Sequence, residues 1–292
     1  MRVLVATLLL TLGSSPAASA WVYYVTREGG PEVRWPDGGP CSVTFQYNPA
    51  GLDTIEGMKE ISALEDAMDL WNANPCTDLR LRLEGVDPSC GFYALPGADQ
   101  NCIAVMSTWV KDPAFAMLTI LSYKPSTGLL QDVDIGINDQ HFDFSLCDAG
   151  EGNEWVDYRF AITHELGHVY GLNHPPEEFC EATSPLPILC SDGDLYCDDG
   201  KPREPAPDDL GGVCALYGHE VFSCSDLPPE PVPETGSEPT ADAADATGSD
   251  AVPADPPGKG RCACGVPARA GDPWTLFLLP LLALLLRRLR TT

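Results

Sequence analysis

The chain has 292 residues, room for one large domain or two ordinary ones. Its 17 Lys and Arg stand against 43 Asp and Glu, a formal charge of -26; such a field repels phosphate backbones and disfavours nucleic-acid binding. Hydrophobic residues at 44% supply a core, 28 Pro and 27 Gly mark stretches that do not pack, and twelve cysteines point to disulfides in an oxidising compartment.

Residues 1–20 read as a secretory signal peptide. Arg2 gives the positive start, Val3 to Leu12 the apolar stretch and Ala18-Ser19-Ala20 the small-residue cleavage site, so the mature chain begins at Trp21. The competing reading, a membrane helix, has too short an apolar run, which stops at Gly13-Ser14-Ser15-Pro16.

Residues 21–225 show no internal repeat and no break in composition, which predicts one folded domain. Ser42 to Tyr47 alternates as a strand does. Thr54 to Trp71 carries Ile55, Met58, Ile61, Leu64, Ala67, Met68 and Trp71 at helical spacing. Leu79 to Leu83 has period two. Ile103 to Met106, Ala116 to Tyr123 and Val133 to Ile137 are further strands, the last two separated by the turn signal Pro125-Ser126-Thr127-Gly128. A second helix is expected from an N-cap at Asp157 to Tyr170. Strands and helices in this order give an α+β or mixed α/β class.

That second helix contains His164-Glu165-Leu166-Gly167-His168. Residues four apart are offset by only about 40° around a helix, so both imidazoles can meet one zinc ion. Glu165 sits beside them, placed to act on a metal-bound water without being a ligand. Gly171 can take positive φ, end the helix and turn the chain back, which lets His174 supply a third ligand. Three nitrogens leave the fourth zinc position open, as catalytic sites do.

Beyond the helix, Asp192, Asp194, Asp198 and Asp199 could hold calcium, although no EF-hand spacing is met and a solvated acidic loop is the simpler reading. Cys41 reads as half of a disulfide, His141 and His219 as surface or capping residues, and Trp35 and Trp71 as core. Eight acidic residues and no basic one lie between Asp132 and Asp157; an acidic border to the cleft would favour cationic peptides.

Residues 226–260 are Pro, Ala, Asp, Glu, Thr and Ser with hardly an aliphatic side chain, the composition of a disordered tether. Residues 261–292 hold Cys262 and Cys264, then the apolar run Trp274 to Leu286, then Arg287, Arg288 and Arg290. Thirteen helical residues span about 20 Å, short of a hydrocarbon core of roughly 30 Å. Motif, apolar run and basic end have the logic of a C-terminal sorting signal that is read and removed. A weak membrane tail with two ordinary cysteines is the alternative.

His164 to His174, HELGHVYGLNH, matches HExxHxxGxxH, and the chain here resembles the metzincin zinc metallopeptidases, more narrowly their matrixin-like branch. Thr127-Gly128 through Asp132 to Asn138 looks like the strand segment before the zinc helix of matrixins, and Asp208 to Gly218 like their closing helix. The tail resembles the MYXO-CTERM sorting signal of myxobacterial surface proteins, which would make Cys262 or Cys264 the processing position. The metzincin resemblance implies an α+β domain with a twisted mixed sheet, a long helix and an active-site helix above a cleft, and a small C-terminal subdomain. It also implies zinc on His164, His168 and His174, Glu165 as general base, and protein or peptide substrates. Two departures stand out. Metzincins place a methionine beneath the zinc, yet all five methionines precede His174; Ser184 to Cys190 is the place for that turn, with Leu189 in the methionine's stead. No PRCGxPD propeptide is present either.

The expectation is a secreted zinc endopeptidase associated with the membrane or cell surface through its C-terminal segment. The alternative, motivated by the missing methionine, is a non-catalytic surface adhesin or binding module. Nothing in the sequence fixes an oligomeric state.

Overall fold

Period-two segments become strands of one mixed sheet, and the two helical spacings become helices packed on one of its faces. The computed structural model describes residues 21–48, 51–52, 54–92, 100–148, 154–190, 195–197 and 202–225, and the backbone of 259–265. Its strands are β1 (Val22–Tyr23), β2 (Ser42–Asn48), β3 (Arg80–Val86), β4 (Asn101–Met106), β5 (Phe115–Tyr123), β6 (Leu130–Asn138), β7 (Phe144–Ser145), β8 (Val156–Asp157), β9 (Leu172–Asn173) and β10 (Lys259–Gly265). The helices are α1 (Lys59–Asn72), α2 (Tyr158–Val169), α3 (Glu177–Ala182) and α4 (Pro207–Tyr217).

The main sheet runs β10-β5-β6-β4-β2-β3, with β2, β3, β4 and β6 parallel and β5 antiparallel to β6. This is an α+β arrangement, as the sequence suggests. Strand β10 pairs antiparallel with β5 and begins at Lys259, inside the stretch expected to be a tether. The remaining tether and tail, the signal peptide, and Asp192, Asp194, Asp198 and Asp199 lie outside the described residues.

Helix α1 starts five residues later than its apolar spacing suggests. Gly57 takes φ +71, which no helix accommodates, and the Thr54 hydroxyl donates to the Phe144 carbonyl instead (2.7 Å). From Lys59 onward the helix buries Ile61, Leu64, Ala67, Met68 and Trp71. Trp71 fixes the helix pair: its Nε1–H donates to the Thr163 carbonyl of α2 at 2.9 Å. A Cβ at Gly167 would fall 2.8 Å from Trp71 Cζ2 and 2.9 Å from Leu189 Cδ2, so a glycine lets α2 lie directly on both.

Five disulfides brace the periphery: Cys41–Cys224, Cys76–Cys214, Cys90–Cys102, Cys147–Cys197 and Cys180–Cys190. Such a set is consistent with an extracellular protein. No helix among the described residues is long and apolar enough to cross a membrane.

Trp71 is 1% exposed. Trp71→Ala is expected to cost about 3–5 kcal/mol through the cavity it leaves. Trp71→Phe is expected to cost about 1–3 kcal/mol, for the lost indole hydrogen bond and the smaller ring. Urea unfolding midpoints of the two variants test this order.

Candidate metal centre

Helix α2 is buried on nearly every side, from Phe160 through Val169, so its apolar residues show no single face. Its start is the expected N-cap: Asp157 Oδ1 accepts the Phe160 N–H (3.1 Å), and Oδ2 accepts from Arg203 Nε (2.7 Å). The chain leaves the helix at Gly171 with φ +80. A Cβ there would lie 2.0 Å from the Val33 carbonyl oxygen, so glycine is required by both conformation and space. Residues Leu172 and Asn173 then pair with Val22 and Tyr23, and the Tyr24 N–H donates to the Gly171 carbonyl (2.9 Å). This two-strand strap presents His174 to the helix.

The structure brings together the three histidines named from the sequence. The Nε2 atoms of His164 and His174 are 2.9 Å apart, those of His164 and His168 3.0 Å, and those of His168 and His174 3.1 Å. His164 Nδ1 faces the Ile188 carbonyl at 2.7 Å, and His168 Nδ1 faces the Leu172 carbonyl at 2.8 Å. A carbonyl only accepts, so each Nδ1 carries the proton and each Nε2 its lone pair. Burial holds the His164 pKa down to about 3, helped by the neighbouring His174. Burial likewise holds His168 well below the usual histidine range, helped by His164 and His174. Two neutral imidazoles thus turn lone pairs into one small space shared with a third.

That arrangement repels itself unless a cation accepts the electron pairs. A tetrahedral ion with bonds near 2.05 Å holds its nitrogen ligands about 3.3 Å apart, close to the spacing found. The donor set could therefore hold a metal ion. Among the described residues this is the one His, Cys, Asp and Glu grouping with metal-ligand spacing.

Glu165 is wholly buried. Its Oε2 accepts from the Thr119 hydroxyl of β5 at 2.5 Å, and its own carbonyl oxygen lies 3.3 Å from the same hydroxyl. The Ser184 to Cys190 segment packs on the helix: Ile188 supplies the carbonyl on His164, and Leu189, 2% exposed, packs against Gly167.

Asp209 holds that segment. Its carboxylate accepts the N–H groups of Ile188 (2.8 Å) and Leu189 (3.3 Å), and that of Ala206 (2.7 Å) at the start of α4. Burial pushes its pKa up to about 6 against the pull of these three donors. Sequence reading placed Asp209 in the closing helix without a role, and it did not find Thr119. A hydroxyl in the otherwise apolar row Met117, Thr119, Leu121 was the available signal.

The acidic border is weaker than the charge count suggests. Asp134 is buried and accepts the Cys102 N–H (3.0 Å), Asp157 caps α2, and Asp148 pairs with Arg159 (2.6 Å). Asp134 and Asp157 are thus structural charges, while Asp148 stays exposed beside Arg159. His141 bonds Asn138 and exposed His219 pairs with Asp78 (3.3 Å), both apart from the centre.

Two outcomes are expected. Asp209→Ala should lower metal affinity about 10–100-fold through loss of the Ile188 support, read by competition with a chromophoric chelator. The second concerns pH. In the unfolded chain His164 and His168 take protons near pH 6.5, and in the metal-free fold only far below. Stability from this source is complete above about pH 6.5 and is lost as the pH falls toward the folded-state values. The metal-free protein should show a lower urea midpoint at about pH 5 than at about pH 7.5, with a smaller drop in His164→Asn/His168→Asn.

No protein-family model matches the chain, and no curated protein matches it either.

Proposed function

We propose that this chain is a secreted zinc-dependent endopeptidase of metzincin type. The observation that carries the reading is the convergence of three histidine Nε2 atoms within 3.1 Å of one another, with Glu165 next in sequence to the first. Three nitrogen ligands without a carboxylate or thiolate are the set that leaves zinc an open position and a net positive charge. When bound, zinc supplies Lewis acidity toward a scissile carbonyl and acidifies the attacking water.

The chain's own residues supply the rest. Glu165 accepts the water's proton and returns it to the leaving amine. The buried surroundings exclude bulk water and strengthen every charge interaction within them. An extended peptide adds antiparallel along β5, the strand that carries Thr119 and borders α2. Lys259–Gly265 pairs along the same edge, so an added peptide displaces it. The five disulfides support a role outside the cell, and the C-terminal segment is the proposed means of surface attachment.

Glu165→Gln keeps the shape of the side chain and removes its basicity. It is expected to retain the metal while peptide cleavage falls at least 100-fold, measured by metal analysis and a mixed fluorogenic peptide library. Undiminished cleavage in this variant would remove Glu165 from the mechanism. Metal without cleavage in the unaltered chain would favour the non-catalytic binding module.

A further inference from the structure

Strand β5 sends alternate side chains to its two faces. On the face toward the main core lie Met117, Thr119 and Leu121, all essentially unexposed. On the other face Leu118 and Ile120 join a small cluster with Phe92 and Trp109. Thr119 is thus the single polar side chain in its row. Val has the same shape and would serve packing better, because a buried hydroxyl without a partner costs about 1–3 kcal/mol.

The partner is Glu165. A hydroxyl has one proton, and of its two contacts the carboxylate oxygen at 2.5 Å is much closer than the carbonyl oxygen at 3.3 Å. The short distance is that of a charge-assisted O–H···O⁻ bond. It commits Oε2 to β5 and fixes the rotation of the carboxylate plane.

Position on the helix adds a second consequence. Glu165 directly follows His164 and precedes His168 by three residues, and residues three apart are neighbours on a helix. A carboxylate free to rotate beside two imidazole ligands is itself a good zinc ligand. Ligation would fill the open position and consume the base.

We propose that Thr119 is the positioning residue of Glu165: its hydroxyl holds the carboxylate on β5, in the orientation for proton transfer and out of the metal's coordination shell. The proposal rests on the peptidase reading for its kinetic part only; the coordination part stands on the metal centre.

The test uses the full chain loaded with cobalt(II) in place of zinc, in three forms: unaltered, Thr119→Val and Thr119→Ser. Urea midpoints check that all three fold. Visible absorption reports coordination without needing turnover. Thr119→Val is expected to change the cobalt bands, and adding Glu165→Gln to it should return them to those of Glu165→Gln alone. Thr119→Ser should resemble the unaltered chain. In the zinc forms, Thr119→Val should lower kcat about 10–100-fold with KM changed less than about twofold, and Thr119→Ser should restore kcat. Cobalt bands identical in the unaltered chain and Thr119→Val overturn the coordination role, and an unchanged kcat overturns the orienting role. A chain that cleaves no peptide in any form, yet shows the band change, keeps the coordination role and overturns the peptidase reading.

Discussion

Mutual repulsion among three imidazole lone pairs, packed about 3 Å apart with His164 and His168 buried and His174 partly exposed, is the constraint on which the rest of this structure depends. Left alone, such a cluster would swing apart or take up protons. Neither exit is open to His164 or His168. The Ile188 and Leu172 carbonyls lock His164 and His168 into one tautomer and one ring orientation. Burial makes a positive imidazolium expensive. The energy stored by folding the domain thus goes partly into a site poised for a cation.

Each support is itself supported. Ile188 is held by Asp209, and Leu189 is followed at once by Cys190, which is bonded to Cys180. Leu172 is paired to the first residues of the domain, and Gly171 packs against the Val33 carbonyl. Tyr24, next to that strap, lies edge-on to His168 with ring centroids 6.2 Å apart. The site is therefore assembled from the beginning, middle and end of the domain. No contiguous fragment of it contains all the supports.

Much of this was legible in the sequence, and for identifiable reasons. The i, i+4 histidines, the left-handed Gly171 and the Asp157 cap are local features, set by geometry within a few residues. Strands β2 and β3 were legible through side-chain periodicity, and β4, β5 and β6 as apolar runs, the last two flanking a turn signal. Strands β1 and β9 were not: two residues carry no period, and their pairing links positions 150 apart. Helix α3 escaped because its six residues, Glu177–Ala182, expose most of their surface. The partners of Thr119 and Asp209, Glu165 and Ile188, lie far off in sequence, so a lone hydroxyl in an apolar row hinted at Thr119 without saying what it meets. Charge misled in the opposite way. Counting Asp134 and Asp157 toward an open acidic face overlooked that both are buried in bonds that serve the fold.

The Cys41–Cys224 bond closes the domain just where the chain leaves it, and Ser225 adds a backbone bond to Gly39 (2.9 Å). If the chain is pulled at residue 225, tension at Cys224 divides between the backbone leading back to α4 and the disulfide leading to Cys41 and so into β2, one strand in from the β3 edge of the sheet. Helix α4 is stapled separately to the end of α1 by Cys76–Cys214. Two covalent routes therefore share the load. A pull from beyond residue 265 meets Lys259–Gly265 first, and the hydrogen bonds of that strand to β5 are what it would peel before the covalent routes tighten.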